Sequence, residues 1–324
     1  MQAGRIAVAA VFGAGLVLAL AAMPKRYEVA GISMAPGLLP GDVVTTRWLP
    51  FADRWQRPCR WNRWVARLPD GSTGVKRVIG LPGETVSIEE GDLTIDGELI
   101  LKDPRTLAEV GSLVSPPIPA VASTSWSWPP TRVLDEAPFA ADEPSRRLLP
   151  VRDVGLAAVV GVTGTGGARA QGRCGPLTVT WRLRQAGRFA IVAGRLDGRA
   201  VAAAWRVPEA VVDPWPSRSC LPVNWPRQWT VAEAWPSGTD QPAMQSPALA
   251  LDLASSESGA SADIEQVAVW RDVLYRPPAT GTTTWQMEPD HAFLLGDFPP
   301  ASRDSRHFGC LPTSALRHRL RSRP

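Results

Sequence analysis

The pattern of apolar positions predicts one apolar N-terminal helix, followed by a chain built mainly from β-strands. Residues 6–23 contain no charged side chain. A helix of that length spans roughly 27 Å, about the thickness of a bilayer's hydrocarbon core. Farther along, apolar and polar residues alternate as in half-buried strands, for example at Val86 and Ile88 and at Leu177 and Val179. This alternation predicts a mainly β fold.

The apolar run at residues 6–23 has two interpretations. Ala19-Leu20-Ala21 is similar to the small-residue site at which a secretory signal peptide is removed. The run is long for the apolar part of a signal peptide, which favours a retained transmembrane anchor, predicted over residues 1–24. Positive residues flank both ends of the run, so the positive-inside rule assigns no orientation.

The character of the chain changes between residues 103 and 284. This segment contains proline clusters and a stretch of small residues at 161–172, with short alternating strands between them. Several such strands at short spacing favour a β-sandwich or jelly-roll insert. We therefore expect a discontinuous β-rich domain, formed by residues 25–102 and 285–324, that is interrupted by an inserted domain of unknown role at residues 103–284.

Composition and cysteine spacing exclude several classes of protein. With 44% apolar and 20% charged residues and a formal net charge of only +4, the chain is globular rather than disordered. The four cysteines show no C-x-x-C spacing, which argues against a zinc site. We expect no metal and no cofactor. Cys174 and Cys220 either pair with each other or remain unpaired thiols.

Tryptophans and arginines are interleaved just after the apolar run. Such interleaving can bind single-stranded nucleic acid. Behind a membrane anchor, it more naturally indicates rings seated at the lipid interface. An ordinary loop with inward-facing rings explains the pattern equally well, and we expect no nucleic-acid partner. The tryptophans of this stretch are Trp48, Trp55, Trp61 and Trp64.

Ser33 is the candidate nucleophile. It lies about ten residues behind the apolar run, in a glycine- and proline-containing stretch, Gly31-Ile32-Ser33-Met34-Ala35-Pro36. A serine hydroxyl is a poor nucleophile until a neighbouring base takes its proton. A histidine in a Ser-His-Asp triad is one such base, since triads are recognised by geometry rather than by order in the chain. The three histidines are His291, His307 and His318.

A lysine that burial keeps neutral is the alternative base. Desolvation disfavours the charged ammonium and can lower its pKa by several units. Lys76 is flanked by Val75, Val78 and Ile79, which is the apolar environment that this shift requires. Taken alone, a lysine beside Arg77 would more often face solvent.

Four motifs, in order along the chain, resemble the conserved boxes of type I signal peptidases. The resemblance covers residues 25–102 and 285–316. The motifs are Gly31-x-Ser33-Met34-x-Pro36, then Gly41-Asp42-Val43-Val44, then Lys76-Arg77-Val78-Ile79-Gly80-Leu81-Pro82-Gly83-Glu84, and finally Gly296-Asp297 followed by Ser302-x-Asp304-Ser305-Arg306-x-Phe308-Gly309.

The resemblance implies a serine endopeptidase with a Ser/Lys dyad, on a β-rich domain at the outer face of the cell membrane. Ser33 would attack the scissile carbonyl while Lys76 acts as general base, and the Ser33 backbone N–H would help to bind the oxyanion. Ser302 corresponds to the serine that orients the lysine. Asp304 and Arg306 match a structural ion pair near the site.

The family also implies that Met34 packs beneath the nucleophile, but the sequence departs from the family pattern at several positions around the site. Gly31 stands where some members carry a serine that completes the oxyanion hole, and others carry glycine. Besides Gly31, the departures are Glu84 in place of the usual aspartate, Phe298 and Pro299 where an asparagine is usual, and Ala301 in place of a polar residue. None of these departures removes a dyad residue.

The implied substrates are signal peptides of exported preproteins, cleaved after small residues in an A-x-A pattern, and the bilayer is the second partner. A different class remains open, an anchored non-catalytic protein whose insert recognises a glycan or a protein. A self-cleaving Ser/Lys repressor is disfavoured, because such a protein needs a DNA-binding module and no anchor. The sequence predicts no oligomeric state.

Overall fold

The computed structural model describes most of the chain. Of the predicted anchor, residues 1–22 lie outside the described residues. Within the described ranges, no helix combines the length and apolar composition needed to cross a membrane. The described ranges are residues 23–46, 57–114, 118–135, 148–211, 213–215, 225–235, 246–255 and 259–321, with the backbone alone at 118–122.

The described chain is mainly β, which confirms the expected fold class. Two short helices are α1 (Pro104–Val110) and α2 (Ser305–Phe308), and single 3₁₀ turns form at Pro299–Ala301 and Thr313–Ala315. In chain order the strands are β1 (Arg26–Glu28), β2 (Val43–Thr45), β3 (Arg63–Arg67), β4 (Thr73–Gly80), β5 (Thr85–Glu89), β6 (Asp92–Ile95), β7 (Glu98–Leu99), β8 (Ser112–Leu113), β9 (Ile118–Ser123), β10 (Ser125–Trp128), β11 (Val154–Thr163), β12 (Ala168–Cys174), β13 (Leu177–Leu183), β14 (Gly187–Leu196), β15 (Arg199–Val207), β16 (Val231–Ala234), β17 (Leu249–Ser255), β18 (Ser261–Arg271), β19 (Thr284–Gln286), β20 (His291–Leu295), β21 (Leu311–Pro312) and β22 (Leu316–Arg319).

The chain folds into two compact units. Among the described residues, unit 1 contains those up to Ser87, then residues 95–97, and then those from Pro277 to Arg321. Unit 2 contains residues 88–94 and the described part of residues 98–276. The domain boundaries expected from the sequence stay a prediction.

Unit 1 contains an antiparallel sheet in the order β21-β20-β4-β3-β22. Strands β3 and β4 are in register with Trp64 opposite Lys76 and Arg63 opposite Arg77. Trp64 is only 1% exposed and packs in the core of this sheet with Val78. This tryptophan therefore faces inward, as one interpretation of the Trp/Arg stretch expected, while Trp48 and Trp55 lie outside the described residues.

Unit 2 is a sandwich of two antiparallel sheets. One sheet has the order β10-β17-β12-β13, and the other has the order β16-β15-β14-β11-β18-β8, with β9 also pairing with β18. The facing sides share one buried cluster that includes Leu156 and Ile191 of the larger sheet and Trp181 and Leu251 of the smaller one. Burying one face of each sheet against the other is the usual way in which antiparallel sheets form a core.

The outer face of the larger sheet is also covered. A second apolar cluster contains Leu107 of α1, Val201 of β15 and Trp270 of β18. Ala202, next to Val201, faces the sandwich core instead. Neighbouring residues of β15 are therefore buried on both faces of the sheet.

The Trp270 ring packs closely against two glycines of the larger sheet. An added Cβ at Gly155 would overlap the Trp270 ring and the carbonyl oxygen of Ala193, and one at Gly194 would come within 2.5 Å of the same ring. The Trp270 indole N–H donates to the Leu156 carbonyl at 3.0 Å, which fixes the ring in place. The packing of this ring therefore requires glycine at both positions.

Cys174 is a buried, unpaired thiol on β12, one of the two states expected from the sequence. Burial raises its pKa to about 12, so the thiol is protonated and unreactive at neutral pH. Cys220, its suggested partner, lies outside the described residues.

We predict that Gly155→Ala lowers the free energy of unfolding by about 1–3 kcal/mol, because the new methyl group must displace the Trp270 ring or the neighbouring strand. Chemical denaturation followed by tryptophan fluorescence measures this loss. Gly161→Ala on the same strand is the matched control, since the atoms nearest its added Cβ belong to the side chains of Glu265 and Asp263, which can move. Equal losses in the two variants would contradict the prediction.

Candidate active site

Ser33 lies in the turn-rich segment between β1 and β2 and is partly exposed. The residue after it, Met34, is 1% exposed and packs in a cluster with Leu38 and Val65. The Leu38 N–H donates to the Met34 carbonyl at 2.8 Å, which closes the turn. Burial of Met34 thus holds the backbone that presents the Ser33 side chain.

Lys76 is buried on β4, with only 3% of its surface exposed. Its Nζ donates a hydrogen bond to Ser302 Oγ at 2.9 Å. Burial lowers the pKa of the Lys76 amine and the charge of Arg306 lowers it further, while the carboxylates of Asp304 and Asp297 partly oppose the shift. The lysine therefore favours its neutral, basic form more strongly than a solvated lysine does.

Gly296 brings the Ser33 and Ser302 segments together. An added Cβ at Gly296 would lie 2.5 Å from the Ser33 carbonyl oxygen and would also overlap Ser302 Oγ. The same Ser33 carbonyl accepts a hydrogen bond from the Phe298 N–H at 3.0 Å. Within the described part of the chain, no hydrogen bond joins Ser33 Oγ to Lys76 Nζ; such catalytic contacts often tighten only when substrate binds.

Asp304 and Arg306 form a buried ion pair, as the family resemblance led us to expect. Arg306 Nε donates to Asp304 Oδ1 and a second guanidinium nitrogen donates to Oδ2, both at 2.8 Å. Oδ2 also accepts the Gly296 N–H at 3.0 Å. Burial by itself would raise the pKa of the Asp304 carboxyl, but hydrogen bonds from His307 and Arg306 and the Arg306 charge hold it well below its ordinary value.

The Arg306 guanidinium also fixes the loop that carries Ser302. It donates to the carbonyl of Pro299 at 2.9 Å and to that of Ser302 at 3.3 Å. Residues 299–301, where the sequence departs from the family pattern, form a 3₁₀ turn. The altered residues therefore lie in an ordered loop that is tied to the ion pair through main-chain atoms.

A second buried ion pair, between Arg77 and Asp297, received no role from the sequence. The guanidinium and the carboxylate are joined by two hydrogen bonds, of 2.7 and 2.6 Å, and each side chain is 1% exposed. A further Arg77 nitrogen donates to the Trp61 carbonyl at 2.6 Å. The pair joins the residue after Lys76 to the residue after Gly296. The sequence signal for it is that both partners belong to the motifs that carry the family resemblance.

Two departures from the family pattern have local structural explanations. Glu84 Oε2 accepts the Leu81 N–H at 2.7 Å, closing the turn, and the carboxylate pairs with Arg60 through two hydrogen bonds of 3.0 and 2.8 Å. Gly31 is exposed, and an added Cβ there meets nothing within 4 Å. Position 31 therefore has room for a side chain but supplies no hydroxyl.

None of the three histidines forms a hydrogen bond with Ser33 in the described part of the chain. His291 Nδ1 lies 2.7 Å from Asp290 Oδ1. His307 contacts the Asp304 backbone N–H at the start of α2, and His318 lies 3.2 Å from the amine of Lys25. Of the candidate bases, Lys76 is the one whose buried amine lies next to the Ser302 loop.

One group in unit 1 has the composition of a metal site. Ligand atoms of Glu288, Asp290 and His291 lie within 4.8 Å of one another, but both acidic residues are exposed. His291 already contacts both carboxylates. This arrangement is an ordinary surface ion-pair group and has no connection to the Ser302 loop.

Two comparisons indicate the class of protein. The model of the family described as signal peptidase, peptidase S26, matches residues 2–111, a range that contains Ser33 and Lys76 but ends before Ser302. Signal peptidase I V of Bacillus subtilis (strain 168) is 32% identical over 74 residues, which are 23% of this chain and 43% of that relative. These matches confirm the resemblance to type I signal peptidases. The match spans less than half the length of the curated relative.

We predict that Asp304→Asn lowers the free energy of unfolding at pH 7 by about 3 kcal/mol, because it leaves the buried Arg306 cation without its partner. The pKa of Asp304 is lowered in the folded state. Its stabilising contribution is therefore present above the pKa of an unfolded aspartate, about 3.9, and is lost as the pH falls below that value.

Urea denaturation of the wild type and the variant between pH 7 and pH 3 tests this dependence. The difference in stability should shrink toward the acid end. Asp70→Asn is the control, since that carboxylate lies in an exposed turn of unit 1. A difference that stays constant with pH would show that Asp304 is not held ionised by the fold.

Proposed function

We propose that this protein is a signal-peptide-cleaving serine endopeptidase in which Ser33 is the nucleophile and Lys76 is the general base. The observation that carries the proposal is the hydrogen bond between buried Lys76 Nζ and Ser302 Oγ at 2.9 Å. A lysine with this burial and this neighbour can remain neutral and orient its lone pair. Ser302 is then a positioning residue for the base.

In the proposed reaction, neutral Lys76 removes the proton from Ser33 Oγ as that oxygen attacks the carbonyl carbon of the scissile peptide bond. The protonated lysine then gives the proton to the leaving amine, and the bond between carbon and nitrogen breaks. An ester between Ser33 and the signal peptide remains. Water, deprotonated by Lys76, hydrolyses this ester and regenerates the free serine.

The oxyanion that forms during this attack needs hydrogen-bond donors. The backbone N–H of Ser33 is the proposed donor, and donors of this kind are worth roughly 3–4 kcal/mol of transition-state stabilisation. Gly31 adds no side-chain donor. Met34, the next residue, is buried and so holds the backbone that positions the Ser33 N–H.

The proposed substrates are exported preproteins with small residues at the cleavage site, and the proposed location is the outer face of the cell membrane. An anchor at residues 1–24 would hold Ser33 near the membrane surface, where a substrate's signal helix ends. Tethering both partners to one surface raises their effective concentration without any new contact. No observation among the described residues favours the alternative of a non-catalytic binding protein.

We predict that Ser33→Ala and Lys76→Met each lower kcat for preprotein cleavage by roughly 10³-fold or more, because each removes a group without which the covalent step fails. The assay follows cleavage of a preprotein with an A-x-A site by the detergent-solubilised full chain. Thermal unfolding checks that each variant is folded.

Ser72→Ala and Lys25→Met are the matched controls, since both residues are exposed in unit 1. Both controls should cleave like the wild type. Wild-type cleavage by Ser33→Ala or by Lys76→Met would overturn the dyad. A wild-type chain that cleaves no such preprotein would overturn the proposed function itself.

We also predict that kcat/KM rises with pH through a single ionisation whose pKa lies below about 10.4, the value of a free lysine. The pKa of Lys76 is lowered by burial, and only its neutral form is a base, so the rate increases as the pH passes that lowered pKa and then levels off. If kcat/KM instead rose with an apparent pKa near 6.5, the base would be a histidine.

Ser302→Ala should lower kcat more than it changes KM, because it removes the hydrogen bond to Lys76 Nζ and leaves the substrate contacts intact. Ser302→Thr keeps the hydroxyl and should restore most of the rate. If the alanine and threonine variants behave alike, Ser302 does not position the lysine.

A further inference from the structure

Unit 2 contains a cluster of buried charges that the proposed peptidase reaction does not use. Its centre is Lys102, whose Nζ donates to Asp197 Oδ1 at 2.5 Å and to Asp272 Oδ2 at 2.7 Å. The backbone N–H of Lys102 donates to Asp197 Oδ2 at 2.8 Å. Asp153 joins the group through its Oδ2, which accepts the Asp197 N–H at 2.6 Å. All four residues are no more than 4% exposed.

A fourth carboxylate, that of Asp92, enters the cluster from the first residue of β6, directly after the turn between β5 and β6. The turn is held by a hydrogen bond from the Tyr275 N–H to the Gly91 carbonyl at 2.9 Å. Carboxylate oxygens of Asp92, Asp153 and Asp197 all lie within 4.8 Å of one another. Three negatively charged groups therefore converge on one small volume at the edge of the cluster.

The charges of this cluster do not balance. Among the described residues, four carboxyl groups face two cations, Lys102 and Arg195, so ionisation of all four leaves a surplus of two negative charges. Arg195 Nε lies 3.7 Å from Asp153 Oδ1, which is beyond a normal hydrogen bond. The nearby Arg271 donates to the main-chain carbonyl of Asp272 at 3.4 Å. Burying unpaired charge of this size is costly unless another cation is present.

Several carboxylate oxygens in the cluster also lack hydrogen-bond donors. Asp153 Oδ1 and Asp272 Oδ1 are fully buried and accept no hydrogen bond within the described part of the chain. Asp92 likewise accepts none from another described residue. Buried polar atoms without partners are rare in folded proteins, and each requires an explanation. Two of the three carboxylates that converge, those of Asp92 and Asp153, therefore have oxygens without a hydrogen-bond donor.

We infer that Asp92, Asp153 and Asp197 of unit 2 bind one divalent cation of the calcium type. The donor set contains only carboxylate oxygens, which suits hard cations and differs from the cysteine-based zinc site that the sequence argued against. One divalent cation neutralises the surplus of two negative charges and supplies the partner that Asp92 and Asp153 Oδ1 lack.

The donor set favours Ca²⁺ over Mg²⁺. Ca²⁺ takes many oxygen ligands in a flexible geometry, so several carboxylates can hold it together. Mg²⁺ demands near-ideal octahedral geometry, retains several waters and is usually bound through only one or two carboxylates. Three carboxylates converge at this site, which suits the larger ion. The ion would tie the β5–β6 turn to the strands of the sandwich within unit 2.

The test uses the chelator-treated full chain in detergent at a fixed pH of 7.5. Calorimetry should show one saturable Ca²⁺ site per chain, with weaker binding of Mg²⁺. Tb³⁺, which replaces Ca²⁺, should luminesce when aromatic residues are excited, because the Tyr275 ring lies 5.6 Å from Lys102 Nζ and the Trp235 ring lies 5.7 Å from Arg195. Saturating Ca²⁺ should raise the melting temperature of unit 2 by roughly 5–10 °C.

Asp92→Asn should abolish both the calorimetric signal and the thermal shift. It should not unfold the metal-free protein, because it removes a negative charge from a crowded group at a partly exposed position. Asp252→Asn is the matched control, since it removes an exposed unit 2 carboxylate that pairs with Arg173. Absence of saturable binding, or Ca²⁺ binding by Asp92→Asn equal to the wild type, would overturn the inference. Stabilisation by acid but not by Ca²⁺ would show that the cluster holds protons instead.

Discussion

The buried amine of Lys76 is the constraint on which the described structure around Ser33 depends. An amine removed from water carries a free-energy penalty when charged, so the fold must either neutralise it or surround it with compensating groups. Here the amine donates to Ser302 Oγ, while the carboxylates of Asp304 and Asp297 oppose part of the shift. The Ser302 loop must therefore lie against β4 for the lysine to have a partner.

Two buried ion pairs hold that loop in place. Arg306 binds Asp304 and also two main-chain carbonyls of the loop, and Arg77 binds Asp297 beside Gly296. Each pair uses both oxygens of its carboxylate, which fixes direction as well as distance. Gly296 lets the Ser33 backbone and Ser302 approach more closely than any larger residue would allow. The rigidity of the site thus comes from charged side chains that fasten loops, while the apolar cluster around Met34 supports the Ser33 turn.

The sandwich of unit 2 has no role in the proposed chemistry. Its larger sheet is covered on both faces, which explains why Trp270 can lie buried against two glycines. The Lys102 cluster lies within this unit and joins Asp197, in the turn between β14 and β15, to Asp272, which follows β18. A buried group with more carboxylates than cations is poorly explained as a purely structural device, because well-packed apolar residues stabilise a core at least as well.

The sequence by itself determined the mainly β class, the apolar setting of Lys76 and the alternating strand at Leu177–Leu183, because alternation and flanking residues are local properties of a strand. Through motif resemblance, it also predicted Ser33, Lys76 and the Ser302 segment as the candidate site. Only the tertiary structure decided which groups meet. Lys76 and Ser302 are 226 residues apart, Arg77 and Asp297 are 220 apart, and Lys102 and Asp272 are 170 apart. Such pairings depend on strand order and register across the whole chain, and no local pattern of residues encodes them.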